Sequence, residues 1–96
     1  MSELTCIAKI ISKSGYEELV KAELSKIVAP TRQEQGCLNY DMHLDNANGA
    51  VFMFHETWES EAFLDQHLES DHIKNCFDLI GDKLESVEIH RLTKLK

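Results

Sequence analysis

Histidine and glutamate are the side chains of this sequence best suited to moving protons near neutral pH. His67 and His72 stand five residues apart. The run Phe54-His55-Glu56-Thr57-Trp58 sets a carboxylate among aromatic neighbours. Strand alternation puts Phe52, Phe54, Glu56 and Trp58 on one side and His55 on the other. If that side faces the interior, Glu56 is a partly buried carboxylate, which must be paired or rise in pKa. It then serves as a general base, as an acceptor that orients one, or as a structural carboxylate binding a backbone N–H or a histidine. His67 follows Phe63 by four residues and Leu64 by three, so it lies on the apolar face of its helix and points inward. His72 comes after an expected break at Ser70. On one uninterrupted helix, positions five apart diverge by about 140°. Only a break there lets both rings approach one cavity. Either histidine alone reads as a core residue bonded to a backbone carbonyl. Together, beside Glu56 and Trp58, they form a candidate site.

Cofactor chemistry finds little support. Helical metal pairs stand three or four apart, which His67 and His72 do not, and no cysteine sits at zinc spacing. The expectation is no metal. No glycine-rich dinucleotide motif, P-loop or nucleophile elbow is present, so no flavin, nicotinamide or nucleotide is expected. Cys37, after Gly36, reads as a small buried hydrophobe rather than a nucleophile. His43, His55 and His90 read as strand-surface or interface residues.

The elements that must position these groups follow from periodicity and breakers. Leu4 to Ile11 alternates as a strand, with Leu4, Cys6, Ala8 and Ile10 on one face. Ser14 and Glu17 have capping-box spacing. The helix after them carries Tyr16, Leu19, Val20, Leu24, Ile27 and Val28 on one stripe. Pro30 is expected to kink or break it, and Gly36 to stop it. Cys37 to Asp45 and Ala50 to Trp58 read as a hairpin across Asn46-Ala47-Asn48-Gly49, residues that tolerate positive φ. Ser60 is a candidate N-cap for a short helix with Phe63, Leu64, His67 and Leu68. Ser70-Asp71 is another, for a helix carrying Ile73, Cys76, Phe77, Ile80 and Leu84. Glu85 to Leu95 is the last strand.

The order β-α-β-β-α-β predicts an α+β, ferredoxin-like fold: a four-stranded antiparallel sheet with helices on one face. Val51 to Phe54 are consecutively apolar, so both faces of that strand want cover, and helices supply only one. A second copy on the open sheet face is the expected cover, giving a homodimer.

Composition bounds the rest. The chain has 96 residues, 43% of them hydrophobic, and reads as one domain over residues 1–96. Ten basic against seventeen acidic residues, a net charge of −7, argue against nucleic acid and anionic membranes as partners. Three cysteines without a C-x-x-C motif suggest no disulfide framework and a cytoplasmic setting. No apolar run reaches the roughly 20 residues of a membrane span, and the N-terminus lacks the pattern of a secretory signal.

Three segments, Gly36-Cys37-Leu38-Asn39-Tyr40, Phe54-His55-Glu56-Thr57-Trp58-Glu59-Ser60 and His67-Leu68-Glu69-Ser70-Asp71-His72, resemble the antibiotic biosynthesis monooxygenase domain family. The resemblance spans essentially the whole chain and is nearest to small stand-alone bacterial quinol monooxygenases. It implies a ferredoxin-like fold, a homodimer whose sheets form a dimeric α/β barrel, and an apolar pocket between helices and sheet. It also implies oxidation of electron-rich aromatics, such as hydroquinones and anthrones, by O2 without metal or organic cofactor. Such chemistry needs a dry pocket, a base and a donor for developing oxygen charge. On this reading His67 is the base, His72 or Asn39 stabilises the oxyanion, and Glu56 orients a histidine. Phe54, Trp58 and Phe63 line the pocket. The haem-degrading branch is disfavoured, because Ala8, His67 and Phe77 stand at its signature positions. An isomerase branch acting on a phosphorylated compound shares the paired histidines, but Lys9, Lys74 and Arg91 are few cations for a phosphate. A non-catalytic dimer that binds a small apolar ligand is the third reading.

Overall fold

A computed structural model describes residues 2–96. The elements are β1 (Leu4–Ser12), α1 (Glu17–Lys26), α2 (Val28–Arg32), β2 (Cys37–Leu44), β3 (Val51–Trp58), α3 (Glu61–Leu68), α4 (Asp71–Ile80) and β4 (Leu84–Leu92). The sheet runs β2-β3-β1-β4, every pair antiparallel, as a ferredoxin-like fold requires.

Alternation works as expected in β1 and β3. Cys6, Ala8, Ile10 and Ser12 are buried under the helices, as are Phe52, Phe54, Glu56 and Trp58. Ile7, Lys9, Met53 and His55 take the opposite, helix-free face. In α4, Ile73, Cys76 and Ile80 are buried at spacings of three and four, with Phe77 half-buried beside them. From α1 only Val20 and Leu24 are buried, followed by Ile27 at its end; Tyr16 and Leu19 stay 43% and 40% exposed. The helix ends at Lys26 and brings only part of its predicted stripe onto the sheet.

Several local expectations are corrected. Ser14 caps nothing: the Glu17 carboxylate reaches back to the Gly15 N–H, at 2.9 Å, and no side chain caps α1. The helix breaks at Ile27, three residues before Pro30. The missing proline N–H deprives Lys26 of its acceptor role, and Ile27 N–H turns to Leu24 O at 3.2 Å. The β2–β3 turn uses no positive φ. Asp45 Oδ1 and Asn48 Oδ1 accept from Ala47 N–H and Ala50 N–H instead, at 2.7 and 3.0 Å. β4 ends at Leu92, three residues early.

The single helix layer does not cover all four strands. Val87 and Ile89 pair with Ile10 and Ala8 on the helix side, yet both remain 43% exposed, because no helix crosses β4. A largely apolar groove of about 340 Å³ therefore runs between α4 and β4, lined by Leu68, Ile73, Phe77, Val87 and Ile89 together with the charged Lys74 and Asp78.

Candidate functional site

Beneath α3 and α4 the groove continues inward as a small cavity. Cys6, Ala8, Phe54 and Glu56 of the sheet bound it on one side, and Leu64 and His67 of α3 on the other. Its volume is about 30 Å³, room for about one water molecule. It shares Leu68, Ile73, Phe77, Val87 and Ile89 with the outer groove. An aromatic ring therefore fits only in the groove, or after Phe77 and Leu68 swing away.

Glu56 is 3% exposed. Its Oε1 accepts the Trp58 indole N–H at 3.0 Å, a neighbour two residues along the same strand face. Burial raises its carboxyl to about 7, partly offset by bonds from Trp58 and Cys6 and reinforced slightly by the Glu34 charge. The same burial pushes the Cys6 thiol up to about 12, which leaves it inert as a nucleophile. The expectation that Glu56 orients a histidine is corrected, since its partner is Trp58.

Because its carboxyl is raised, Glu56 binds a proton in the folded chain between about pH 4.5 and 7, where the unfolded chain does not. Its contribution is fully present below 4.5 and lost as pH rises through 7, on the order of 3 kcal/mol. Glu56→Gln keeps an acceptor for Trp58 and is expected to gain about 1–3 kcal/mol at pH 8 with no gain at pH 4.5. Urea melts at the two pH values check this, and equal gains at both would contradict it.

His67 is 2% exposed, with its ring centroid 4.8 Å from Trp58 and 5.4 Å, edge-on, from Tyr40. Burial lowers its pKa, against a smaller upward pull from Glu34, so the ring is neutral at pH 7. Its Nδ1 lies 2.7 Å from Glu34 Oε2. His72 Nε2 lies 2.8 Å from the same oxygen. The break at Ser70 makes this possible: Ser70 is extended, its hydroxyl donates to His67 O at 2.7 Å, and the two rings end 6.2 Å apart. The rings thus converge on Glu34, and His72 is not among the residues lining the cavity.

Glu34 lies in the polar turn between α2 and β2, and nothing in its local sequence singles it out. With His67 and His72 it forms a set, among the described residues, whose donor atoms lie within 4.8 Å of one another and could ligate a divalent ion. On one continuous helix His67 and His72 would not converge; the break at Ser70 and a third donor from a distant turn bring them to one point.

Of the other predicted residues, Phe54 lines the cavity and Trp58 is fully buried beside His67. Phe63 and Asn39 do not line it. Phe63 packs over Gly36. Asn39 sits on the helix-free face, its Nδ2 donating to His55 O at 3.0 Å. A β-bulge between Cys37 and Asn39 explains the difference. Cys37 pairs with Trp58 and Asn39 with Thr57, so residues two apart face opposite sides. The cations do not line the cavity either: Lys74 is paired with Glu69, Arg91 with Glu61 and Asp65, and Lys9 faces away.

The sequence matches the family described as antibiotic biosynthesis monooxygenase over residues 4–79. It is 34% identical over 93 residues to "Probable quinol monooxygenase YgiN" of Escherichia coli, covering 85% of this chain and 89% of that one. It is 30% identical over 83 residues to "Putative monooxygenase Rv0793" of Mycobacterium tuberculosis, covering 86% and 81%. Among solved structures, PA3566 from Pseudomonas aeruginosa superposes with a TM-score of 0.94 at 34% identity, over 100% of this chain and 97% of that chain. The Rv0793 structure gives 0.91 at 28% identity, over 99% and 97%.

Proposed function

Since this chain belongs to the antibiotic biosynthesis monooxygenase family, we propose that it is a monooxygenase oxidising a small electron-rich aromatic, hydroquinone- or anthrone-like, with O2. The observation that carries this reading is the pairing of a neutral, buried imidazole and a buried carboxyl across an otherwise apolar cavity.

His67 removes the proton of a phenolic or enolic hydroxyl. The resulting anion transfers one electron to O2, giving a substrate radical and superoxide. Recombination forms a C–O bond and a peroxide anion, which takes a proton back from the imidazolium or from protonated Glu56. In an anthrone the hydroperoxide then loses water, with the carbon's remaining hydrogen, to leave a carbonyl. One oxygen atom enters the product and the other leaves as water. A hydroquinone radical can instead pass its second electron and proton to superoxide, and the hydroperoxide anion then takes the imidazolium proton, giving quinone and hydrogen peroxide with no oxygen transferred to the substrate. The electrons come from the substrate, so the sequence of steps calls on no flavin or metal. Apolar walls strengthen both proton transfers by excluding water.

The test is oxygen uptake by chelator-treated protein with a panel of hydroquinones and anthrones, autoxidation subtracted. Enzyme-dependent uptake supports the reading. Turnover of a substrate without O2 would assign an isomerase instead, and thermal stabilisation by ligand without turnover a binding protein. A phosphorylated substrate is disfavoured because no cation lines the inner cavity among the described residues and the outer groove's Lys74 is paired with Glu69.

We propose a homodimer through the helix-free sheet face. Ile7, Ile11 and Met53 lie half-buried there and Leu92 exposed, in a row no helix covers. Sedimentation at micromolar concentration is expected to give twice the chain mass, and a monomer would exclude this interface.

A further inference from the structure

The structure assigns Glu34 as the residue that positions the catalytic base: it fixes the proton of His67 on Nδ1 and leaves Nε2 bare for substrate. The assignment rests on the reading of His67 as the base.

A carboxylate only accepts hydrogen bonds. The 2.7 Å contact with Glu34 Oε2 therefore places a hydrogen on His67 Nδ1. A neutral imidazole carries one ring proton, so Nε2 must be the lone-pair nitrogen. Nε2 has no hydrogen-bond partner among the described residues, and the ring borders the cavity. The ring thus borders, with one nitrogen left free to accept, the cavity that a substrate hydroxyl would enter from the outer groove. When Nε2 takes a proton, the positive charge forms 2.7 Å from the Glu34 carboxylate, which stabilises it.

Holding Glu34 is itself a structural task. Its side chain is 17% exposed, and a free carboxylate there would turn toward water. His72 supplies the restraint: its Nε2 shares the same oxygen at 2.8 Å from the opposite helix end. Ser70 sets the chain reversal that brings the second ring there, its hydroxyl spanning from His67 O at 2.7 Å toward His72 Nε2 at 3.4 Å. His72 thus acts two contacts from the cavity, as the second donor on the carboxylate.

The test reads the tautomer directly. Histidine-labelled, chelator-treated protein is examined by long-range 1H–15N NMR at pH 7.5. In the wild type, His67 is expected in the Nδ1–H form. In Glu34→Gln the amide can offer a donor to Nδ1, so the Nε2–H form is expected to grow. kcat should then fall about 10²–10⁴-fold with KM little changed, the size of effect a misplaced imidazole proton has in a catalytic triad. Glu34→Asp keeps a carboxylate and is expected to retain the Nδ1–H form and recover part of kcat. A wild-type His67 in the Nε2–H form, or an unchanged tautomer in Glu34→Gln, would overturn the assignment whether or not any substrate is turned over. A correct tautomer shift with no oxygen uptake by the wild type on any aromatic would leave Glu34 as the positioning residue and remove the monooxygenase reading alone.

Discussion

His67→Ala is expected to lower enzyme-dependent oxygen uptake by about 10²–10⁴-fold, the range typical of losing a positioned general base. The substrate anion, not the neutral phenol, is the electron donor to O2, so the loss falls on the proton transfer that precedes oxidation. Among the described residues, His67 combines a neutral ring, near-complete burial and a border on the cavity. His72 does not border the cavity and cannot replace it. The fold should survive, because Trp58 and Tyr40 still pack around the vacated space and His72 still donates to Glu34. Circular dichroism and a urea melt would separate a folded, inactive variant from an unfolded one. A folded variant with undiminished uptake would keep the reaction and transfer the base to another group, of which Glu56 is the nearest in kind. Substrates already ionised at the assay pH should lose less, since they arrive without the proton His67 removes.

Gly36→Ala is expected to destabilise the chain by about 2–5 kcal/mol, from two separate causes. Gly36 has φ +84°, in the left-handed region, where a side chain costs about 1–2 kcal/mol. An added Cβ would also come to 2.2 Å from the Phe63 ring, and overpacking of this kind costs about 1–3 kcal/mol. The position is held from a second side, because Gly36 O accepts the Glu59 N–H at 2.8 Å. The segment therefore cannot relax without breaking the start of the β2–β3 pairing. The double variant Gly36→Ala/Phe63→Ala should cost less than the sum of the two single changes, the clash being gone and the backbone strain remaining. Urea unfolding measures all three, and a Gly36→Ala cost below about 0.5 kcal/mol would contradict the backbone geometry. Glu34 lies two residues upstream, so a folded Gly36→Ala protein is also expected to lose activity by displacing the carboxylate from His67.

Much of this protein was written in local sequence. Period-two alternation settled which residues of β1 and β3 share a face, because a strand side chain's direction depends only on residue parity; which face the helices cover came from the structure. The inward direction of His67 followed in the same way from Phe63 and Leu64, one helical turn before it. The aromatic residues alternating with Glu56 placed it on their face, and the structure turned that face inward. The order of elements then limited the topology, and the resemblance of three short segments named the family. What failed were statements whose parity or partner is set elsewhere. The bulge at Cys37–Asn39 reverses the parity of β2 and sends Asn39 to the far face, and no composition signal marked it. Phe63 was diverted to Gly36, a neighbour far away in sequence.

The largest omission was Glu34, 33 residues before His67 and 38 before His72. A charged residue in a polar turn has no periodicity to reveal it. Only the approach of the α2–β2 turn to the end of α3, with the reversal at Ser70, brings its carboxylate between the two rings. The size of the cavity was equally beyond reach, since it is the small difference between large side-chain volumes. Sequence by itself determined the order of elements, the family resemblance and the inward turn of His67, because each is a matter of repeat, motif and local direction. Tertiary structure alone decided which group touches which, because hydrogen bonding acts over about 3 Å between residues the chain keeps far apart.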